Sequence, residues 1–378
     1  MKRWICIILA LITLSGCSNS AQPAFSPQEA IPEASQQGVP GFDPTLLIET
    51  MSTEQLVGQL FLARCPSDES ALADLTGYHL GGYILFGRDF ENKTATEIQA
   101  TIASYQQAAE IPLLIAVDEE GGSVARISSQ PLLRDSRFPS PQKLYTEGGI
   151  DLLLRTEEEK CALLSSLSIN VNMAPVCDIT TDSSAFMYSR SLGLDPEETG
   201  TCIAAMVETM TQHQIGSVLK HFPGYGNNTD THTGIATDER PISQLEQSDL
   251  VPFQRGIDAG CGAILISHTV VTSMDSQLPA SLSGPVIEYL RNQMGFDGVI
   301  VTDDLVMEAI TEQYGNEDAA VMAVQAGCDL LCSSEYEIQY EAVLKAVRDG
   351  RISLDQIRPA VGRILRWKYA LGLIPANT

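Results

Sequence analysis

The sequence predicts a (β/α)8 barrel of the TIM type that forms a single catalytic domain. Eight short apolar runs are typical of buried strands, and they lie at residues 57–63, 81–87, 112–118, 169–176, 216–222, 262–268, 298–304 and 329–334. Amphipathic stretches typical of helices separate them, for example at residues 95–110, 197–213 and 317–328. Continuous apolar strands that alternate with helices indicate a parallel sheet covered by helices. A doubly wound open sheet is the alternative that this periodicity leaves open.

The carboxyl ends of the runs favour the barrel. Polar, reactive residues stand at the ends of four runs, where (β/α)8 barrels build their active sites, and these residues are Asp118, Lys220, His221, His268, Asp303 and Asp304. Beyond the eighth run, an amphipathic helix at Tyr340–Arg348 and a helical segment at residues 352–373 close the predicted domain.

The chain begins with a segment typical of a lipoprotein signal peptide. Lys2 and Arg3 precede the apolar run Trp4–Leu14, and small residues then lead to Cys17. The run is too short to span a bilayer as a permanent helix. We expect residues 1–16 to be removed and Cys17 to be lipidated, rather than to be an ordinary buried cysteine. The protein is then expected outside the cytoplasm, anchored by its lipid to the bacterial cell membrane.

The composition of residues 17–41 predicts a flexible tether after the lipidated Cys17. Folded sequence is expected to begin near Phe42. The tether is rich in Ser, Gln, Pro and Ala and shows no apolar periodicity. Residues 42–378 are therefore assigned to the barrel domain, which we expect to be a monomer. The net charge of −25 argues against a nucleic-acid partner, because phosphates repel an acidic surface.

Seven cysteines follow Cys17, and we expect buried free thiols. Most of them stand in apolar runs, and none has the spacing to a histidine that metal sites show. An exported protein can form disulfides, but the sequence identifies none. We expect neither a metal nor an organic cofactor.

Three segments carry candidate chemistry, and the first is the run at residues 298–304. Its apolar residues deliver Asp303 to the predicted mouth of the barrel, where a carboxylate can attack an anomeric carbon and form a covalent glycosyl-enzyme. Aspartate also favours helix N-caps, so one or both acids can instead cap the following helix. Both interpretations hold together if Asp303 is catalytic and Asp304 structural.

The second segment is the long loop after the fifth run. It follows Lys220 and His221, is rich in Gly, Asn and Thr, and contains Asp230 and His232. Loops of that length are usually functional or disordered. In extended chain, residues two apart point the same way, so Asp230 can accept a hydrogen bond from His232 and keep it basic enough to exchange protons. The alternative is a histidine that is solvated by chance.

The third segment follows the third run. Asp118 precedes Glu119, Glu120 and two glycines, and Arg126 lies close by in sequence. A carboxylate and a guanidinium offer paired acceptors and donors to vicinal sugar hydroxyls. The alternative is a tight turn with solvated acids.

In this order, the motifs KHFPGYG, DTH and DDLVM resemble glycoside hydrolase family three, in its branch of β-N-acetylhexosaminidases, from about Phe42 to Lys368. The resemblance implies that Asp303 is the nucleophile, that His232 is the general acid/base and that Asp230 orients it. It also implies substrate binding by five residues, namely Asp118, Arg126, Arg190 in YSRSLGLDP, Lys220 and His221.

Two departures from the family pattern stand out. Tyr225 occupies a position that is commonly His, but that position transfers no proton, so we expect the reaction class to be unchanged. Many relatives also carry a second α/β domain after the barrel. In this chain we expect every catalytic group to come from the barrel.

The implied reaction is retaining, exo-acting hydrolysis that releases terminal β-linked N-acetylglucosamine from peptidoglycan fragments or chitooligosaccharides. A neutral histidine does not repel phosphate as a glutamate does, so a phosphorylase that uses the same residues is the alternative. A lipid-anchored sugar-binding protein of a transporter is a remote alternative. It predicts two lobes joined by hinges, and it does not explain Asp303 or the pair Asp230 and His232.

Overall fold

The computed structural model describes residues 42–66, 68–226 and 236–375, and every structural statement below concerns this part of the chain. Its main sheet has eight parallel strands. They are β1 Phe61–Arg64, β2 Gly82–Leu85, β3 Leu114–Val117, β4 Val171–Asn172, β5 Gly216–Phe222, β6 Ala263–Ile266, β7 Val299–Thr302 and β8 Leu331–Ser333. Each of these strands overlaps one of the eight predicted runs, and all but β1, which extends one residue further to Arg64, lie entirely within it.

The sheet forms a nearly closed barrel, in which the terminal strands β7 and β8 lie side by side. Strands β1 to β7 pair in parallel in chain order, and β8 pairs with β1. A parallel bridge between Val301 and Leu330 joins β7 to the residue before β8, where the Thr302 amide donates to the Leu330 carbonyl at 3.0 Å. The predicted (β/α)8 barrel is therefore confirmed, and the doubly wound open sheet is wrong.

Helices surround the barrel. They are α1 Thr45–Thr50, α2 Thr53–Gln59, α3 Asp68–Tyr78, α4 Gly87–Phe90, α5 Ala95–Ala108, α6 Pro141–Ser166, α7 Pro196–Gln212, α8 Ile242–Gln247, α9 Leu250–Asp258, α10 Gly284–Glu288, α11 Glu308–Tyr314, α12 Asn316–Ala326, α13 Tyr336–Arg348 and α14 Leu354–Ala370. Two short ribbons pair Glu119–Gly121 with Val124–Ala125 and Thr237–Asp238 with Val270–Val271. Within the described ranges, no helix has the length and apolar character needed to cross a membrane.

The first predicted strand starts too early. α2 begins in a capping box, in which the Gln55 amide donates to the Ser52 hydroxyl at 3.2 Å and the Ser52 amide donates to the Gln55 side chain at 2.8 Å. This cap starts a helix that runs to Gln59, so β1 begins only at Phe61. The apolar run covers the buried end of the helix and the strand together, and periodicity alone does not separate the two.

The fourth predicted strand, at residues 169–176, is reduced to Val171–Asn172. Pro175 has no N–H to donate to a ladder, and the chain after Asn172 follows β5 irregularly. The Val218 amide donates to the Ala174 carbonyl at 2.8 Å, and the Cys177 amide donates to the Lys220 carbonyl at 2.7 Å. The chain therefore still runs beside β5 up to the carboxyl rim of the barrel.

The cysteines behave as expected. The seven cysteines from Cys65 to Cys332 are all buried, and none forms a disulfide. Burial raises the pKa of the Cys161 thiol to about 12 and that of Cys202 to about 11. Because only the thiolate is a good nucleophile or metal ligand, these two cysteines are inert at neutral pH.

Lys368 of α14 is buried without a carboxylate partner. Its side chain is fully buried, and its Nζ donates to Gln59 Oε1 at 2.7 Å. Burial lowers the pKa of this ammonium to about 7, whereas an unfolded lysine titrates near about 10.4. Between these pH values the unfolded chain binds one proton more than the folded chain, so stability rises with pH across this window.

We therefore predict that Lys368→Met raises the melting temperature most below pH 7, and that the gain shrinks as the pH approaches 10. Thermal unfolding of variant and wild type across this pH range measures the difference. Lys345→Met is the matched control, because Lys345 is exposed and pairs with Asp349 on the surface. A gain for Lys368→Met that does not change with pH contradicts the account.

Candidate active site

The carboxyl ends of β3, β5 and β7 bring the predicted site residues to one rim. Asp118 follows β3, Lys220 and His221 lie near the carboxyl end of β5, and Asp303 follows β7. In a parallel barrel these ends share one face. All seven residues of β5 are buried, including the polar residues Ser217, Lys220 and His221.

The electrostatic environment of the buried Cys332 thiol, in β8, includes charged groups of this rim. Burial raises the pKa of this thiol well above its ordinary value. Four charged neighbours also act on it, three carboxylates that add to the rise and one ammonium that opposes it, and they are Asp304, Asp303, Asp118 and Lys220. The carboxylates that follow β3 and β7 and the ammonium of β5 therefore all act on one buried sulfur of β8.

Lys220 is held between two carboxylates. Its Nζ lies 2.7 Å from Asp118 Oδ1 and 2.6 Å from Glu120 Oε1, and its side chain is only 3% exposed. Burial lowers the pKa of this ammonium, but Asp118 and Glu120 outweigh burial and the net shift is upward. Lys220 is therefore a fixed cation. Arg126 lies beside the pair, with its guanidinium 4.0 Å from Asp118 Oδ2 and 5.6 Å from the centre of the Phe86 ring.

Glu120 joins Lys220 to Arg190. Arg190 donates from Nε to Oε2 at 3.0 Å and from Nη2 to Oε1 at 2.6 Å, which is the paired geometry that favours arginine. Burial raises the pKa of Glu120, but Lys220 and Arg190 overcome it and bring the pKa to about 2. Glu120 is thus a buried anion shared by two cations. The sequence suggested only a turn acid at this position.

His221 is oriented by a residue that sequence reasoning missed. Asp178 Oδ2 lies 2.8 Å from His221 Nδ1 and accepts the His221 backbone amide at 3.1 Å, while Oδ1 accepts the Tyr225 amide at 2.8 Å. On the other side of the ring, Nε2 lies 3.3 Å from Arg190 Nη2. A guanidinium can only donate, so Nε2 accepts and the proton of the imidazole sits on Nδ1, where it is donated to Asp178.

Glu119 has a structural role. Its buried carboxylate accepts the amides of Arg126, Ile127 and Ser128 at 2.9, 2.8 and 3.3 Å, as well as the Ser128 hydroxyl. Asn172 of β4 fixes its backbone, because the Asn172 Oδ1 accepts the Glu119 amide at 3.0 Å. The acid therefore shapes the turn that carries Arg126 back toward Asp118.

The two acids after β7 are used differently. The Asp303 carboxylate accepts the Asp304 amide at 2.9 Å and remains partly exposed at the rim. The Asp304 carboxylate accepts the amides of Val306 at 3.3 Å and Ser334 at 3.1 Å, together with the Ser334 hydroxyl. Helix α11 begins only at Glu308, so neither acid is its N-cap. Asp304 instead ties the loop after β7 to the loop after β8.

His268, two residues after β6, supports the same loop. Its Nε2 lies 3.0 Å from the Asp304 carbonyl oxygen, which can only accept, and its Nδ1 lies 2.7 Å from the Ser281 hydroxyl. The ring is fully buried. His268 therefore positions the backbone next to Asp303.

Some predicted features lie outside the described residues. They are Asp230 and His232 in the loop after β5, and residues 1–41 with the expected signal peptide, Cys17 and tether. Their roles stay predictions. In the part of the chain that the structure describes, no group of three or more His, Cys, Asp or Glu side chains could hold a metal ion.

Fold and site together define a (β/α)8-barrel enzyme with a polar site at its carboxyl rim. Residues 52–367 match the glycosyl hydrolase family 3 N terminal domain. The chain belongs to glycosyl hydrolase family 3.

Similar proteins indicate which type of glycoside hydrolase the chain is. A beta-hexosaminidase of Tolumonas auensis is 34% identical over 275 residues, which cover 71% of this chain and 80% of that protein. The beta-hexosaminidase LpqI of Mycobacterium tuberculosis is 28% identical over 367 residues, which cover 94% of this chain and 91% of that protein. A solved family 3 beta-N-acetylglucosaminidase from Paenibacillus sp. str. FPU-7 superposes with a TM-score of 0.80 at 33% identity, covering 85% of this chain and 63% of that one. The chain is a glycoside hydrolase of the type that these β-hexosaminidases represent.

The buried Asp178 should affect activity because it anchors His221. In Asp178→Asn the charge that anchors His221 is lost, and hydrogen bonds to charged groups contribute about 1.5–3 kcal/mol. We expect kcat/KM for a β-N-acetylglucosaminide to fall roughly 10- to 100-fold, with most of the change in KM. Asp182→Asn is the control, since Asp182 is exposed and its carboxylate accepts from Ser184 in its own turn. Equal activity in the two variants contradicts the role given to Asp178.

Proposed function

We propose that the chain is a retaining, exo-acting β-N-acetylhexosaminidase that forms a covalent glycosyl-enzyme on Asp303. The observation that carries the proposal is that the barrel places Asp303, directly after β7, on the same carboxyl rim as the ion pair of Asp118 and Lys220. A carboxylate that is partly exposed beside a rigid set of hydrogen-bonding groups suits attack on a sugar that those groups hold.

The chemistry of the rim supports a neutral, polyhydroxylated ligand. The anions Asp118 and Glu120 alternate with the cations Lys220 and Arg190, so these four charges cancel. Such a cluster offers donors and acceptors to hydroxyl groups without attracting a charged ligand. Asp118, with Lys220 and Arg126 on either side, is placed to accept from one hydroxyl while its neighbours donate to others.

The proposed reaction has two displacements. Asp303 attacks the anomeric carbon as the bond to the leaving oxygen breaks, and His232 gives its proton to that oxygen while Asp230 orients the ring. Water then attacks the anomeric carbon, His232 takes its proton, and the bond to Asp303 breaks. Two inversions retain the configuration, and retention implies a gap between donor and nucleophile of roughly 5–6 Å. The roles of His232 and Asp230 rest on the sequence motif.

The proposed substrates are peptidoglycan fragments or chitooligosaccharides with a terminal β-linked N-acetylglucosamine. Support comes from the named relatives and from the expected lipid anchor. The anchor would hold the enzyme outside the cytoplasmic membrane, where cell-wall fragments occur. A sugar-binding protein of a transporter is not supported, because it predicts two lobes and the described residues form a barrel.

The nucleophile is tested by Asp303→Ala. We expect release of 4-nitrophenol from 4-nitrophenyl β-N-acetylglucosaminide to fall roughly 10³-fold or more, as for other catalytic nucleophiles. Asp297→Asn, an exposed acid just before β7, is the matched control and should keep full activity. Equal release by wild type and Asp303→Ala contradicts the proposal.

The products decide between hydrolysis and phosphorolysis. Proton NMR of a wild-type reaction should show the β-anomer of N-acetylglucosamine first, with or without inorganic phosphate. A sugar 1-phosphate as the main product in phosphate establishes the phosphorylase instead, because phosphate then replaces water in the second displacement.

The proposed location outside the cytoplasm, with a lipid on Cys17, has its own test. We expect wild type expressed in a bacterium to incorporate an alkyne-tagged fatty acid and to fractionate with membranes. Cys17→Ala should lose both the label and the membrane association but keep its specific activity. A soluble, unlabelled wild type contradicts the anchor, and it leaves the enzymatic proposal untouched.

A further inference from the structure

An ion cluster with two buried carboxylates follows the loop that contains His232, and its members are Asp238, Arg240 and Asp249. Arg240 donates to Asp238 from Nε at 3.0 Å and from Nη2 at 2.6 Å, and to Asp249 from Nη1 at 2.7 Å and Nη2 at 3.0 Å. The two carboxylates are almost completely buried, at 2% and 1% exposure. We refer to Asp238, Arg240 and Asp249 as the Arg240 cluster.

The geometry of the Arg240 cluster requires arginine. One planar guanidinium bridges two carboxylates through several N–H groups at once, and a lysine ammonium has no fixed fork to do this. Burial lowers the pKa of Arg240, but both aspartates outweigh burial and raise it. Loss of the cation leaves two buried anions facing each other, which is costly.

The chain that enters the loop lies directly against this cluster. Gly224 and Gly226 have φ angles of +119° and +54°, in the region that favours glycine. A Cβ at Gly224 would lie 2.7 Å from the Asp249 carboxylate, and a Cβ at Gly226 would lie 2.5 Å from Arg240 Nη2. The backbone therefore approaches the two charged groups as closely as only glycine permits.

The chain that leaves the loop is fixed to the same cluster. Asp238 belongs to the short strand Thr237–Asp238, which pairs with Val270–Val271. The Val270 amide donates to the Ala236 carbonyl, and the Thr272 amide donates to the Asp238 carbonyl, both at 2.9 Å. Residues 227–235 thus connect two ends that are both held by the Arg240 cluster, and they include Asp230 and His232.

The cluster also adjoins the substrate-binding side of the rim. The Gly224 amide donates to the His221 carbonyl at 2.8 Å, and the Tyr225 amide donates to Asp178 at 2.8 Å. Burial raises the pKa of Asp249, and the Asp178 carboxylate adds a smaller rise. One connected set of contacts therefore leads from the His221 ring to both ends of the loop.

We propose that Arg240 is a positioning residue for proton transfer, which clamps both ends of the loop and thereby sets where His232 stands relative to the glycosidic oxygen. This inference rests on the proposed function, because His232 is the acid/base only in that reaction. Arg240 touches neither the substrate nor the reacting atoms in this role. Its loss should impair the steps that need a proton and spare the step that does not.

Substrates with different leaving groups distinguish the steps that need a proton from the step that does not. Departure of a sugar from chitobiose needs a proton, whereas 2,4-dinitrophenolate leaves without one, so the ratio of kcat/KM for the two substrates reports on the acid. For Arg240→Lys and Arg240→Gln we expect kcat/KM for chitobiose to fall about 100-fold, the size of effect that slight misplacement produces. We expect kcat/KM for 2,4-dinitrophenyl β-N-acetylglucosaminide to be nearly unchanged.

Azide supplies a second readout. With the dinitrophenyl substrate the second displacement still needs a base for water, so kcat of the variants should fall, and azide should restore it by forming a glycosyl azide without a base. Arg255→Lys is the control, because Arg255 pairs with Glu197 on the surface. Assays run well below each variant's melting temperature, which is measured separately, and Arg240→Lys keeps a cation if Arg240→Gln does not fold.

The outcomes are distinct. Equal losses on both substrates without azide rescue, or no loss on either, overturn the positioning role. An inability of both variants to fold also overturns it, since the cluster would then serve stability. Failure of the proposed function appears elsewhere, as wild type without activity on either substrate or Asp303→Ala with full activity.

Discussion

Lys220 sits in the barrel between Asp118 and Glu120, and the arrangement of the rim depends on this interaction. Taking a charge out of water costs several kcal/mol unless partners compensate it. Here each partner is itself paired, since Glu120 also binds Arg190 and Asp118 lies near Arg126. Removal of any one group weakens the compensation of at least one other charge in the network. The carboxyl ends of β3 and β5 and the segment around Arg190 are therefore fixed relative to one another before a substrate arrives.

Residues behind this network hold it in place. Asp178 sets the tautomer of His221, Glu119 shapes the turn that presents Arg126, and His268 supports the backbone at Asp304. Each of these side chains is buried and makes more than one hydrogen bond, so its rotamer is determined by the fold. Such preorganisation lets a site stabilise developing charge without rearranging. Under the proposed function, these preorganised groups hold the sugar against Asp303.

Much of the fold and part of the site could be predicted from the sequence. Apolar runs located the eight strands, and reactive residues at their ends identified the rim. Helix and strand could not be separated at residues 57–59, because a short apolar run suits both. Glu120 and Asp178 were not assigned to the site, because an acid that turns inward looks the same in sequence as a solvated one. Asp178 meets His221 across 43 positions of the chain, a contact that only the irregular path after β4 creates.

In the proposed mechanism, Asp303 bonds covalently to the sugar. The most direct measurement is mass spectrometry of the enzyme after reaction with a 5-fluoro-N-acetylglucosaminyl fluoride, which slows the second displacement and lets the intermediate accumulate. We expect one added sugar per chain, on the peptide that contains Asp303. A label on another carboxylate, such as Asp118, or turnover without any labelled enzyme contradicts the account.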